Sequence, residues 1–418
     1  MITIRVCRVA VTVIGCLLVS LIARGDDPHQ NNDSKKGTPK FIADFGAIRK
    51  ETDEKLKPIY EKMQQEYKDA KSEADREKVQ ENIRTEIDTI ITPAVRSALD
   101  VLKPYASDAA AVEPLVWVVS FSSQTNTGYT AAELLMKHHL VRNETIELAR
   151  RMKQGGSRWV EPMLRSQLAA ADLPEGQKWR VMLSLAMCLQ GQAQTAANLA
   201  DASEAVRKRF EQMHGKEHLA KMTKLDARER EEEAIRLFTE LSDNYPKQEI
   251  IRGLTVGDVA NSSVFEIKNL GIGKTAPDIE GEDLDGVKFK LSDSRGKVVM
   301  LSFWGSWCGP CMGLVPHENE LVEQYKHKPF ELIGVNSDPD KEKLKPVLEE
   351  YKITWRSFWC GEKGPEGPIA RAWNVNGWPD VYLIDHTGVI RAKNMLGPAL
   401  DAKIEKLVAE AEKANTKQ

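Results

Sequence analysis

The residue types best suited to chemistry stand together at Trp307-Cys308-Gly309-Pro310-Cys311. Two cysteines separated by two residues can close a small disulfide ring or contribute to a metal site. The apolar stretch before them, Val298 to Leu301 and then Phe303 and Trp304, is short, β-rich and preceded by Gly296-Lys297, so it reads as a buried strand. After Cys311, the residues Met312, Leu314, Val315, Leu321, Val322 and Tyr325 recur at helical spacing. Cys308 is therefore expected at a helix N-terminus, where unpaired N–H groups and the helix dipole favour a nucleophilic thiolate. Cys311, one turn in, is placed to resolve a mixed disulfide. Zinc also uses Cys-x-x-Cys, but it wants four ligands, and no second Cys/His pair lies nearby at the right spacing. The pattern points to redox chemistry without a metal.

These residues match the active-site signature of the thioredoxin superfamily. From Gly273 to the C-terminus the chain resembles the TlpA-like, ResA-type extracytoplasmic branch of that superfamily. The resemblance also rests on Gly273-Lys274-Thr275-Ala276-Pro277-Asp278, on a hairpin at Asp285-Gly286 and on Leu291-Ser292-Asp293 before the strand. Pro316 falls where thioredoxins kink the first helix. Trp378-Pro379 opens a β run, Val381–Asp385, where the family keeps a cis-proline facing the disulfide. The stretch Asn336–Gly377 is extra strand–helix material that plain thioredoxins lack. The resemblance implies Cys308 and Cys311 as the catalytic, redox-active disulfide, with Trp307, Gly309, Pro310, Trp378 and Pro379 shaping the substrate groove. It implies no cofactor; the partners would be protein thiols or disulfides and a redox partner protein. Trp378 stands where thioredoxins commonly have threonine, so its indole is expected to restrict which substrates dock.

Two departures from the family bear on proton transfer. Thioredoxins keep a buried aspartate six residues before the nucleophile, and here Ser302 holds that place. Several TlpA-like reductases keep a glutamate three residues after the resolving cysteine, and here Leu314 does. The nearest titratable side chains, His317 and Glu318, are expected on a solvated helix face.

The elements that must position the site alternate strand and helix, which argues for a central mixed sheet with helices on both faces. The expected elements are strands at Phe330–Val335, Trp355–Trp359 and Val389–Lys393, and helices at Lys341–Tyr351, Pro368–Trp373 and Ala402–Ala414. Cys360 ends the strand Trp355–Trp359 and is followed by Gly361 and Gly364, so it is expected in a loop outside the core. If that strand runs parallel to Val298–Trp304 and two strands away, Cys360 lies roughly 10 Å or a little more from Cys308. That is too far for a resting bridge.

At 418 residues the chain has room for two or three domains. A net charge of −3 gives no sign of a nucleic-acid partner. Residues 1–25 read as a secretory signal: Arg5 and Arg8, the apolar Val9–Ile22, then Ala23-Arg24-Gly25. Retention as an N-terminal membrane anchor is the alternative, although the apolar run is shorter than the ~20 residues a spanning helix needs. Cys16 lies in a lipobox-like Val13-Ile14-Gly15-Cys16 but sits mid-run. Either way the working part is expected outside the cytoplasm, in the periplasm or an equivalent space. Residues 26–40 read as a disordered leader, 41–248 as an all-α solenoid-like or bundle domain, 249–272 as a connector and 273–418 as the thioredoxin-like domain.

In the helical region, Leu56, Ile59, Met63, Tyr67 and Ala70 recur at helical spacing, as do Val79, Ile83, Ile87 and Ile90. Ser72-x-x-Asp75 is a start signal between them, and the pair is expected to form a helical hairpin. Pro93 and Pro104 are expected to break the helical pattern after the second run, with shorter helices at Thr130–His139, Glu144–Met152, Val160–Ala171, Gln177–Leu189 and Glu232–Asn244. His214 and His218 are expected to be exposed, Cys188 to be inert packing, and Trp117, Trp159 and Trp179 to be core. In the connector, Val264–Ile267 is expected to add a short strand. Gly271-Ile272-Gly273-Lys274-Thr275 ends like a phosphate loop, but Lys268 occupies the first-glycine place, so nucleotide binding is rejected.

The leading functional expectation is a thiol–disulfide oxidoreductase acting on proteins, on the reducing side, with the helical domain docking a partner. Gly-Pro between the cysteines resembles the thioredoxin-type reductants near about −270 mV more than oxidants near about −120 mV. A peroxiredoxin-like peroxidase is the alternative enzyme, but no Thr-x-x-Cys precedes Cys308. An interaction scaffold with a redox-sensing module is the third reading.

Overall fold

The computed structural model describes residues 38–70, 73–153, 157–200, 202 and 204–416. The expected signal, nearly all of the leader and Ser72 of the start signal lie outside the described residues. Those described form two compact units, residues 38–191 with 214–218 and residues 192–213 with 219–416.

The first unit is helical. Helices α1 (Lys40–Asp69) and α2 (Glu73–Leu102) run antiparallel, joined along their length by Lys62–Glu86 and by Gln80 donating to Tyr67. This is the expected hairpin. Pro93, however, lies inside α2 and does not end it. Ile91, Val95, Ala98 and Leu102 bury one stripe around it, and that packing offsets the hydrogen bond a helical proline forfeits. Pro104 does interrupt the chain, opening a 3₁₀ turn at Lys103–Tyr105. Beyond that turn lie α3 (Val112–Ser122), α4 (Asn126–His138), α5 (Asn143–Met152), α6 (Val160–Ala169) and α7 (Glu175–Ala200). Trp117, Trp159, Trp179 and Cys188 are all buried, as packing residues should be. His218 is buried too, against the expectation of exposure. Gly215, at φ +85°, separates α8 (Glu204–His214) from α9 (Lys216–Lys224), and the two histidine rings approach to 5.8 Å.

The second unit takes in residues 192–200 of α7, residues 204–213 of α8 and residues 219–224 of α9, and continues through α10 (Ala227–Asn244) and a small hairpin of β1 (Glu249–Ile251) and β2 (Leu254–Thr255) into α11 (Val256–Asn269). Val264–Ile267 is therefore helical and not a strand. A capping box between Thr255 and Asp258 starts α11, and Val256, Ala260, Ser263 and Ile267 bury at helical spacing. That longer period overrides the local β propensity of four residues.

The β3–β4 hairpin (Glu280–Glu282, Lys288–Lys290) turns at Gly286, whose φ of +83° suits glycine. Beyond it lie β5 (Val298–Trp304), α12 (Gly309–Gln324), β6 (Phe330–Asn336), α13 (Lys341–Tyr351), β7 (Ser357–Trp359), α14 (Pro368–Ala372), β8 (Asp380–Ile384), β9 (Ile390–Lys393) and α15 (Pro398–Asn415). The five-stranded sheet has the order β7-β6-β5-β8-β9. Strands β5, β6 and β7 are mutually parallel, β8 pairs antiparallel with β5, and β9 pairs antiparallel with β8.

Strand β5 is central and buried throughout. Its side chains alternate between two cores, as the two-residue period of a strand requires. Val298, Met300 and Trp304 pack with Cys308, Cys311, Val315, Val381 and Leu383. Val299, Leu301 and Phe303 pack with Phe358, Trp373, Tyr382 and Ile384. Each such side chain contributes roughly 1.5–3 kcal/mol, so this strand is a rigid base for the loop at its C-terminal end.

Candidate active site

The loop from β5 to α12 delivers the cysteine pair. Cys308 caps α12, and Pro310 sits in the first turn, where its missing N–H costs nothing. Cys308 and Cys311 are disulfide-bonded, and the Cys311 N–H donates to Cys308 Sγ at 3.2 Å. Both cysteines are buried, whereas Trp307, Gly309 and Pro310 are exposed.

Register brings the other half of the site alongside. Phe303 near the end of β5 pairs with Asp380 at the start of β8, so the residues preceding Asp380 reach the same sheet edge as the cysteine loop. The Trp378–Pro379 bond is cis, as expected. Trp378 packs against the core cluster holding both cysteines, and its ring stands 5.5 Å from that of Trp307 in an edge-on arrangement.

The loop after β6 ties these parts together. Asp338 accepts from the Ser306 N–H at 2.9 Å and the Ser306 hydroxyl at 2.6 Å. The Trp307 indole N–H donates to the Ser337 carbonyl at 3.3 Å, and that of Trp378 to the Ser337 hydroxyl at 3.1 Å. None of Asn336, Ser337 and Asp338 stands out in the sequence; the available signal is a polar triplet that follows Leu332–Val335 and closes β6.

Glu318 overturns its expected solvated position. It is 3% exposed, and the Ser302 hydroxyl donates to it at 2.9 Å. Cys311, Val315 and Glu318 fall at i, i+4 and i+7, one stripe of α12 facing β5. That stripe was the available signal, but an acid on it reads as a break in apolar spacing until its partner strand is known. Burial pushes the Glu318 carboxyl up to about 7, against the Ser302 hydrogen bond and the nearby His317. His317 itself is partly exposed and pairs with Asp401 at 2.9 Å.

Cys360 also departs from expectation. Strand β7 is parallel to β5 and two strands away, as supposed, but the thiol is fully buried in the core on the sheet face away from the cysteine pair. The reason is register: its N–H donates to the Asn336 carbonyl, extending the ladder, and two residues on from Phe358 it keeps that residue's face. Ser337 donates to its sulfur at 3.7 Å, and burial pushes the thiol pKa up. Among the described residues no group of three or more His, Cys, Asp or Glu is placed to hold a metal.

A Cys-x-x-Cys at the N-terminus of the helix after a central strand, with a cis-proline strand beside it, defines a thioredoxin-like domain. A family profile described as AhpC/TSA matches residues 272–393. The thiol-disulfide oxidoreductase ResA of Bacillus thuringiensis subsp. konkukian is 36% identical over 123 residues, 29% of this chain and 69% of that protein. The thioredoxin-like protein YneN of Bacillus subtilis is 32% identical over 132 residues, 30% of this chain and 74% of that one. Among solved structures, the thioredoxin domain of a thiol-disulfide oxidoreductase from Bacteroides vulgatus is 32% identical, with 34% of this chain and 99% of that chain covered and a TM-score of 0.31. The chain belongs to the ResA-type thiol-disulfide oxidoreductases and is an enzyme of thiol–disulfide exchange.

Proposed function

We propose that Cys308 and Cys311 are the working pair and that the enzyme reduces disulfides of protein substrates outside the cytoplasm. The observation that carries this reading is the bonded pair at the N-terminus of α12, with the Cys311 N–H already directed at Cys308 Sγ. In the reduced enzyme that N–H and the helix dipole stabilise the Cys308 thiolate. The thiolate attacks one sulfur of the substrate disulfide. A Cys308–substrate bond forms, and the other substrate sulfur leaves as a thiolate that takes up a proton. Cys311 gives up its proton and attacks Cys308 Sγ. The Cys308–Cys311 bond closes and the substrate departs as a dithiol, two electrons having passed to it. A dithiol partner protein then reduces the pair.

Glu318 suits the proton step. Its pKa is raised to about 7 and it is buried on the same helix stripe as Cys311, so in this reading it takes the Cys311 proton, with the Ser302 hydroxyl that donates to it as the relay. Trp307, Gly309, Pro310, Trp378 and Pro379 form the groove for the substrate strand. Residues 41–248 dock a partner, 249–272 connect and 273–418 carry out the exchange. Residues 1–25 direct export, supported by their charged, apolar and small-residue order. Among the described residues no helix is long and apolar enough to cross a membrane.

The test is trapping with Cys311→Ser in the full chain. The variant should accumulate mixed disulfides through Cys308 with exported proteins, and wild type should reduce insulin disulfides. Recovery of no protein adduct, with no insulin reduction by wild type, would overturn the reading.

A further inference from the structure

Trp307 is 50% exposed, a large aromatic ring left in water directly beside a buried nucleophile. It is nevertheless held on three sides. Its ring lies over Gly305, where a Cβ would stand 2.6 Å from Trp307 Nε1 and 2.7 Å from its Cε2. Its N–H is fixed by the Ser337 carbonyl, and the edge-on ring of Trp378 abuts it. Trp378 is fixed in turn by the Ser337 hydroxyl, so one fully buried serine holds both indoles. Ser337 is itself anchored, its N–H donating to the Trp304 carbonyl at 2.8 Å. Met312, Met395 and Leu396, partly buried against the core cluster of the two cysteines, add further apolar surface at this domain edge.

An indole fixed this firmly loses little entropy when it binds, and its exposed half suits a flat apolar group. We propose that Trp307, set by Gly305 and Ser337, is a specificity-determining platform that selects substrates with an aromatic residue next to the reactive cysteine. The proposal rests on the disulfide-reductase reading above and adds the substrate class. Gly305 and Ser337 are positioning residues: they act through the indoles and touch neither sulfur nor substrate.

The test uses the full chain, with dithiothreitol as reductant, on two peptide disulfides that differ only in Phe or Ser next to the cysteine. Wild type should prefer the Phe peptide in kcat/KM by roughly three- to tenfold, the size of one aromatic contact. The preference should lie in KM. Gly305→Ala, which pushes the indole off its seat, and Ser337→Ala, which removes the hydroxyl that holds Trp378 against it, should each bring the ratio toward one. Ser337→Thr, which keeps the hydroxyl, should restore it. Trp378→Phe serves if the buried substitutions fail to fold, and should lower the ratio without touching Ser337. Equal rates for the two peptides in wild type, or an unchanged ratio in Gly305→Ala and Trp378→Phe, would overturn the proposal while leaving the reductase reading intact. Reduction of neither peptide would overturn that reading and the proposal together.

Discussion

Glu318 and Asp380 are buried carboxyls on opposite faces of one five-stranded sheet, and their surroundings differ. Asp380 comes directly after the cis-proline and shares its face with Tyr382. Lys393 lies nearby, ion-paired with Glu266 at 2.6 Å. Burial pushes Asp380 up to about 6, with Lys393 pulling the other way. Glu318 has one hydroxyl partner and an imidazole at longer range, and burial carries it to about 7. The first arrangement compensates charge and ties α11 to the end of β9. The second leaves a carboxyl poised to gain or lose a proton near neutrality, on the face that holds the cysteines. A buried acid with a cation beside it is ordinary structural economy; one without is a candidate for chemistry.

The largest expected effect tests the structural member of the pair. Lys393→Met should destabilise the second unit by about 4 kcal/mol, inside the range for breaking a buried ion pair, because Glu266 and Asp380 lose their cation. Hydrogen exchange at the β5 and β8 amides reads that loss within the intact chain. The lifetime of the Cys308 mixed disulfide should not change. A variant as stable as wild type would mean that Lys393 compensates nothing.

The next effect falls on Glu318. Its folded pKa is raised, so the folded state holds a proton that the unfolded chain releases above about 4.5. The stability tied to this group is therefore full below pH 4.5 and is lost as pH rises through about 7. The rise corresponds to about 3 kcal/mol between those limits. Glu318→Gln should flatten that slope and lengthen the mixed-disulfide lifetime roughly tenfold or more at pH 8. The same slope in both proteins would show that Glu318 does not ionise in the fold. A flattened slope with unchanged lifetime would keep the buried acid and remove it from the proton route.

The two sheet faces also differ in how far the sequence revealed them. The cysteine pair, the strand that feeds it, its helix and Trp378-Pro379 were legible because each is a local pattern: an apolar run, a 3.6-residue period, an X-Pro step. Glu318 and Cys360 were misjudged because their burial depends on partners far along the chain. Glu318 lies on the inward stripe of its helix, and its partner there is a Ser302 hydroxyl sixteen residues earlier on a neighbouring strand. Cys360 looked like a loop residue beside two glycines, yet the ladder to Asn336 carries it into the core. Val264–Ile267 failed for the converse reason: four residues of β-type composition are outweighed by a 14-residue helix with its own cap. Pro93 failed because tertiary packing tolerates a proline that local propensity forbids.

The smallest effect separates the hydroxyl from the acid it serves. Ser302 donates to Glu318, which stabilises the carboxylate more than the neutral acid and so holds the pKa below where burial alone would set it. Ser302→Ala should move that pKa further up and shift the decline in stability to higher pH. The cost should be about 1 kcal/mol at pH 5, where the lost bond is to a neutral carboxyl, and roughly 2 kcal/mol at pH 9, where it is to a charged one. Hydrogen exchange at β5 amides across that range measures both values. If Ser302 also passes the proton from Cys311, the mixed-disulfide lifetime at pH 8 should lengthen in Ser302→Ala as it does in Glu318→Gln, and the double variant should add nothing further. Additive effects on the lifetime would place the serine outside the route and leave it as packing beside the acid.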